Sequence, residues 1–227
     1  MALPYYVSPE QMMQDKAEYA RKGISRGRSI IALEYSDGVL LVADNPSSLS
    51  KISEIYDNIA FAGAGKYSEF ENLRKAGIRH ADLTGYMYSR EDVTAKSLAN
   101  AYSQSIGTIF SQEMKPLEVE ILVVEVGPAE RGNEIYRISF DGSIMDEKGY
   151  TAVGGQAEAL THYLKSRYEA RSLPDSLKLA VKSMEEVGGQ KVSPKSLEVA
   201  VLDRNRLGRK FRRLELVEMQ GILKEPA

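Results

Sequence analysis

Cysteine is absent from the 227 residues, and histidine occurs only twice, at His80 and His162. The first absence excludes a disulfide framework, a cysteine-ligated zinc site and a cysteine nucleophile. Two histidines far apart in sequence offer no His-rich metal chemistry. An excess of one charge is missing too. Thirty Lys and Arg stand against 32 Asp and Glu, a net charge of −2, which argues against nucleic acid as the main partner. No apolar run approaches the ~18 residues of a membrane span. Residues 1–10 lack the basic-then-apolar layout of a signal peptide. The expectation is a cytoplasmic protein with no membrane or nucleic-acid partner, no metal and no cofactor.

The hydrophobic share of 43% and the charged share of 27% are those of an ordinary globular chain. Its length allows one large domain or two small ones, at ~100–200 residues each. No linker or low-complexity stretch divides it, so the expectation is one unit over 1–227. Ser8-Pro9-Glu10-Gln11 reads as a helix start, with Ser8 as cap, Pro9 in the first turn and Gln11 completing a capping box. That helix is expected over 9–22, stopping at Gly23. Strand-like runs follow at 29–35 and 39–43, joined through Asp37-Gly38 as a hairpin. A second pair lies at 51–56 and 58–62, turning at Asp57-Asn58.

Apolar residues then recur at three and four over 66–83 and 94–113, which predicts two helices. Strands are expected at 118–126, 134–140, 144–145 and 150–153, the first with Glu118, Glu120 and Glu125 flanking its apolar positions. Helices at 156–170 and 174–187, strands at 196–203 and 210–214, and a short helix near 215–223 complete the chain. Antiparallel strand groups alternating with helix pairs predict two sheets face to face with a helix pair outside each. The fold class is α+β: a four-layer αββα sandwich over 29–214 with an extra N-terminal helix.

Three motifs mislead. Gly23-Ile24-Ser25-Arg26-Gly27 has the G-x-S-x-G spacing, but that motif needs a strand before it and a helix after, and here the order is reversed. Ala64-Gly65-Lys66-Tyr67 lacks the earlier glycine and the hydroxyl residue of a phosphate-binding loop. The basic run Arg204–Lys210, continued by Arg212-Arg213, reads as a solvated turn between two edge strands.

Taken as a series, other stretches resemble the α-type subunit of the proteasome core particle. They are Ser8-Pro9 before Glu18-Tyr19-Ala20-Arg21, then Arg26-Gly27, Asp37-Gly38-Val39, Ala43-Asp44, Lys51-Ile52, Ile55-Tyr56-Asp57 and Ala62-Gly63-Ala64-Gly65. Asp141-Gly142-Ser143-Ile144, Gly154-Gly155 and Ser196-Leu197-Glu198-Val199-Ala200-Val201 continue it in order. Ser8-Pro9-Glu10-Gln11, Val42-Ala43-Asp44-Asn45-Pro46-Ser47 and Lys115-Pro116-Leu117-Glu118-Val119-Glu120 are similar to the actinobacterial branch. At that last place archaeal and eukaryotic members usually carry Arg-Pro-Tyr-Gly-Val, and this chain departs from them.

The resemblance implies an N-terminal-nucleophile hydrolase fold, assembled as a homo-heptameric α ring that caps rings of catalytic β-type subunits. Catalysis in this class needs a Thr, Ser or Cys whose own amino group is the base. The aligned position is Arg28, which has no hydroxyl and is preceded by 27 residues, so no catalytic residue is expected. Asp44 and Lys51 match the supporting Asp and Lys of β-type sites. The resemblance further implies a gate in the tail over 1–8, with Tyr5 and Tyr6 packing across a pore and Ser8-Pro9 as its stiff turn. Lys51 aligns with the lysine that accepts the terminal carboxylate of an activator tail, and Gly65 with the small residue of that pocket. The implied activators are a hexameric ATPase ring and ATP-independent caps. Two other readings stay open: a peptidase processed to expose Ser29 as nucleophile, and a binding module that shares only the fold.

Overall fold

A computed structural model describes residues 8–224. Strands β1 (Ile30–Tyr35), β2 (Gly38–Asp44), β8 (Tyr150–Val153), β9 (Leu197–Asp203) and β10 (Phe211–Arg213) form one sheet, ordered β10-β9-β2-β1-β8. The second holds β3 (Ile52–Tyr56), β4 (Ile59–Gly65), β5 (Val119–Val126), β6 (Asn133–Ile138) and β7 (Ile144–Glu147), in sequence order. Every neighbouring pair is antiparallel. Helices α2 (Tyr67–Met87) and α3 (Ala95–Gln112) cover the second sheet. Helices α4 (Ala157–Lys165), α5 (Leu173–Gly188) and the short α6 (Leu216–Lys224) cover the first. These are the four expected layers.

Side-chain alternation builds the three apolar layers between them. On β4, Ile59 and Phe61 join the cluster under α2 and α3, while Ala60, Ala62 and Ala64 face the sister sheet. Successive strand residues point to opposite faces, so both faces of this strand are buried and its sequence shows no polar side. Small residues on the inner face bring the sheets close. The same logic revises the reading of β5. Its glutamates were expected to flank an apolar face, yet β5 is the central strand and Glu125 is only 3% exposed. Glu125 accepts hydrogen bonds from Ala95 N at 2.7 Å and Asn58 Nδ2 at 3.1 Å. Glu120 accepts from Gly154 N at 3.2 Å and pairs with Arg137 at 3.2 Å. Burial raises the pKa of both carboxyls above its ordinary value, against these hydrogen bonds.

The hairpin β1–β2 turns through Ser36-Asp37, with Tyr35 opposite Gly38. Gly38 is a strand residue, needed for contact: a Cβ there would overlap the Leu202 carbonyl of β9.

Helix α1 (Pro9–Ser25) runs past Gly23, where the sequence predicts a stop. A Cβ at Gly23 would overlap the Glu118 side chain, so this glycine serves a close approach and leaves the helix intact. Ser8 Oγ accepts from Gln11 N at 3.2 Å, the expected cap. The reciprocal half of the capping box is not made, because Gln11 Nε2 donates to Asp15 at 2.7 Å. Only Lys16, Ala20 and Ile24 of α1 are buried, a narrow stripe one turn apart, resting on β4, β5 and Phe140. Helix α4 ends at Lys165, five residues before the expected end at 170. Tyr168 leaves the helix to donate to Glu34 O at 3.2 Å and to pack on the Tyr150 ring.

Candidate functional site

Both β1–β2 and β3–β4 turn at one end of the sandwich, so the start of the first strand and the end of the second meet at the other. Arg28 precedes β1, Asp44 ends β2, Lys51 precedes β3 and Gly65 ends β4. Topology therefore gathers these four residues, spread over 38 positions in sequence, at one end of the molecule.

The Arg28 guanidinium is ion-paired with the Asp44 carboxylate, and its side chain is half exposed. Beside them a cavity of about 310 Å³ is lined by Arg28, Ser29, Asp44 and Gln156 among others. Ser29 is 9% exposed, and its hydroxyl accepts from Gln156 N at 3.2 Å at the start of α4. The chain before it is tied down, since Gly155 N donates to Gly27 O at 3.0 Å. Ser29 is thus held between the end of α1 and the start of α4.

Lys51 is held through its backbone. Its N–H donates to Glu198 Oε2 at 2.8 Å, and Ile52 N donates to Glu198 Oε1 at 3.1 Å. Glu198 lies on β9 of the first sheet and so ties it to the start of β3 in the second. Asn45 Nδ2 at 2.8 Å and Arg213 at 2.7 Å complete its partners. The Lys51 ammonium lies 5.7 Å from the centroid of the Phe70 ring and makes no ion pair among the described residues. Burial lowers its pKa below the ordinary lysine value, and Arg28 adds to this, while Glu198 and Asp44 pull the other way. A partly desolvated ammonium without a paired carboxylate is suited to receive one from outside.

The Lys51 carbonyl accepts from Gly63 N at 3.0 Å, which sets Lys51 two residues along β4 from Gly65. Gly65 has φ +105°, a backbone region that favours glycine, and a Cβ there would overlap the Glu118 carbonyl. Its identity thus has a cause inside the fold. Ser8 and Pro9 lie at the far end of α1, whose 17 residues span about 25 Å at 1.5 Å each. Lys51 and Gly65 are brought together; Ser8 and Pro9 are not brought to them. Tyr5 and Tyr6 lie outside the described residues.

Sequence reasoning missed Glu118 and Glu198. Glu198 had one signal, a lone acid inside an apolar strand, and buried acids are rare unless paired. The basic run is also less free than expected. β9 is an inner strand, paired with both β2 and β10. Arg204 donates to Asn133 Oδ1 at 2.9 Å, Arg209 pairs with Glu54, and Lys210 Nζ donates to Arg204 O at 3.0 Å.

Residues 24–202 match the family model described as proteasome subunit. A protein of Thermomonospora curvata named proteasome subunit alpha is 56% identical over 230 residues, covering all of both chains. Another of that name, from Acidothermus cellulolyticus, is 54% identical over 231 residues and 99% of each chain. One from Thermobifida fusca is 52% identical over 229 residues, 99% of this chain and 92% of its own. Among the described residues no helix is long and apolar enough to cross a membrane.

Proposed function

The chain belongs to the proteasome subunit family, on its α-type, actinobacterial branch, and we propose that it is the non-catalytic ring subunit that gates a compartmentalised protease. Seven copies form the outer ring on β-type catalytic subunits in the cytoplasm. The tail over 1–8 closes the pore. Lys51 and Gly65 receive the terminal carboxylate of a tail from a hexameric ATPase activator or an ATP-independent cap. The observation that carries this reading is the occupied nucleophile position. Arg28 is spent in an ion pair with Asp44, Ser29 Oγ is bonded to Gln156, and Lys51 beside them keeps an unpaired ammonium. The acid and the base of a catalytic site are present without the nucleophile between them, which leaves a cationic receptor for a carboxylate.

The test is peptide hydrolysis by the particle assembled with its β-type partner. Deleting residues 1–7 raises the basal rate and leaves assembly intact. Lys51→Ala removes stimulation by a tail-docking activator and keeps the basal rate. An unchanged basal rate in the deletion would end the gate reading, and undiminished stimulation would remove Lys51 from the pocket. An intact mass lacking residues 1–28 would instead make the chain a processed peptidase.

A further inference from the structure

Glu118 touches both halves of this arrangement. Its backbone meets the pocket: Lys66 N donates to Glu118 O at 2.9 Å, and Gly65 packs on that same carbonyl. Its side chain meets α1. Tyr19 OH donates to Glu118 Oε1 at 3.2 Å, and Gly23 leaves room for the carboxylate against the helix backbone. Lys115 Nζ lies 3.1 Å from Glu118 Oε1 and 5.6 Å from the centroid of the Tyr19 ring.

Glu69, in the first turn of α2, locks the segment from behind. It accepts from Glu118 N at 2.7 Å and from Lys115 Nζ at 2.8 Å. Burial opposes its ionisation, but the hydrogen bonds from Lys115 and from the backbone N–H of Glu118 hold its pKa below the ordinary value. Beside the buried stripe Lys16, Ala20 and Ile24, these polar contacts clamp the Tyr19–Gly23 side of α1.

We propose that Glu118 is a positioning residue that joins the carboxylate pocket to the N-terminal helix, its backbone held at Gly65 and its side chain at Tyr19 and Gly23. This rests on the gate reading above. A tail carboxylate seated at Lys51 bears on the end of β4, and the strain passes through Glu118 to α1 and so to Ser8-Pro9.

The experiment uses the assembled particle with three variants, Glu118→Ala, Tyr19→Phe and the conservative Glu118→Gln. The probe is a synthetic peptide copying the C-terminal tail of the cognate ATPase, with a free carboxylate. Two readouts are taken: amide exchange across residues 9–25, and the ratio of peptide-stimulated to basal hydrolysis. Glu118→Ala and Tyr19→Phe speed exchange in α1, by about tenfold for the loss of a hydrogen bond to a charged group. Both lower the stimulation ratio, by about tenfold on the same scale. Glu118→Gln, which still accepts from Tyr19, keeps both readouts near the unaltered values. Unchanged exchange in Glu118→Ala overturns the clamp. Faster exchange with an unchanged ratio overturns the coupling. If Glu118→Ala fails to assemble, Tyr19→Phe decides alone, since it removes one oxygen from a half-exposed ring. Absence of any stimulation in the unaltered particle would fall on the gate reading, while exchange still judges the clamp.

Discussion

The sandwich and the helix laid across its end are held by different forces. The sandwich has three apolar layers, with Ile30, Leu41, Ala62, Leu122 and Ala200 fully buried between the sheets alone. At about 25 cal/mol per Å² of apolar surface, such layers dominate stability and tolerate no displacement without loss. Helix α1 buries three residues and relies on a few directional contacts at Tyr19, Gly23 and Lys16, the last donating to Phe110 O at 3.1 Å. Directional contacts worth about 1 kcal/mol each can be broken and remade without unfolding the body. A rigid body carrying a lightly attached helix is the mechanical arrangement a gate requires.

This contrast can be broken most violently from the rigid side. Phe61→Ala removes a fully buried ring from the layer under α2 and α3, with Tyr102 at 5.9 Å between ring centroids. We expect a loss of about 3–5 kcal/mol, read as a lowered midpoint in denaturant unfolding. A midpoint shift no larger than that of a surface substitution would mean the layers are not the source of stability.

A smaller effect separates the two regions by pH. Glu120 and Glu125 have folded pKa values above the ordinary 4.5, so their unfavourable ionisation develops as pH rises from 4.5 through those values. Glu69 is shifted below 4.5, so its contribution is intact above 4.5 and is lost as pH falls through its folded value. Lowering the pH from neutral toward 4.5 therefore favours the central strand, and going below 4.5 loosens the clamp on α1. Glu125→Gln flattens the first limb of the stability profile and leaves the second. A variant whose upper limb matches the parent would refute the assignment to Glu125.

The smallest effect sharpens the comparison at the free end of α1. Ser8→Ala removes the cap and costs about 1 kcal/mol, confined to the first turn. Amide exchange at Gln11 rises while the global unfolding midpoint stays within error. A lowered midpoint would show α1 to be part of the cooperative core.

The layers were legible in the sequence because periodicity is a local signal. The Ser8-Pro9 start and both early hairpins follow from short-range chemistry, and the four layers follow from their order. The helix stop was misread because Gly23 was judged by its backbone preference, whereas Glu118, far away in sequence, dictates it. Asp37-Gly38 was read as the turn, but the turn is Ser36-Asp37 and Gly38 opens β2, where the neighbouring strand β9 requires the glycine. Lys51 and Gly65 had no local signature and came from resemblance alone. Glu118 and Glu198 act across 95 and 147 positions respectively, to Gly23 and Lys51, which no window of sequence spans.

Glu198 has a further consequence, visible by counting lone pairs. An ionised carboxylate offers about four acceptor sites. Four donors claim them: Asn45 Nδ2, Lys51 N, Ile52 N and an Arg213 N–H. The carboxylate is saturated, so it attracts the Lys51 ammonium through its field without a free lone pair to bind it. Asp44, the other acid acting on Lys51, is engaged by Arg28. Glu198 thus has its acceptor sites filled, while Asp44 is held on one oxygen by Arg28. The Lys51 ammonium makes no ion pair among the described residues, and its hydrogens are left for an acceptor from outside.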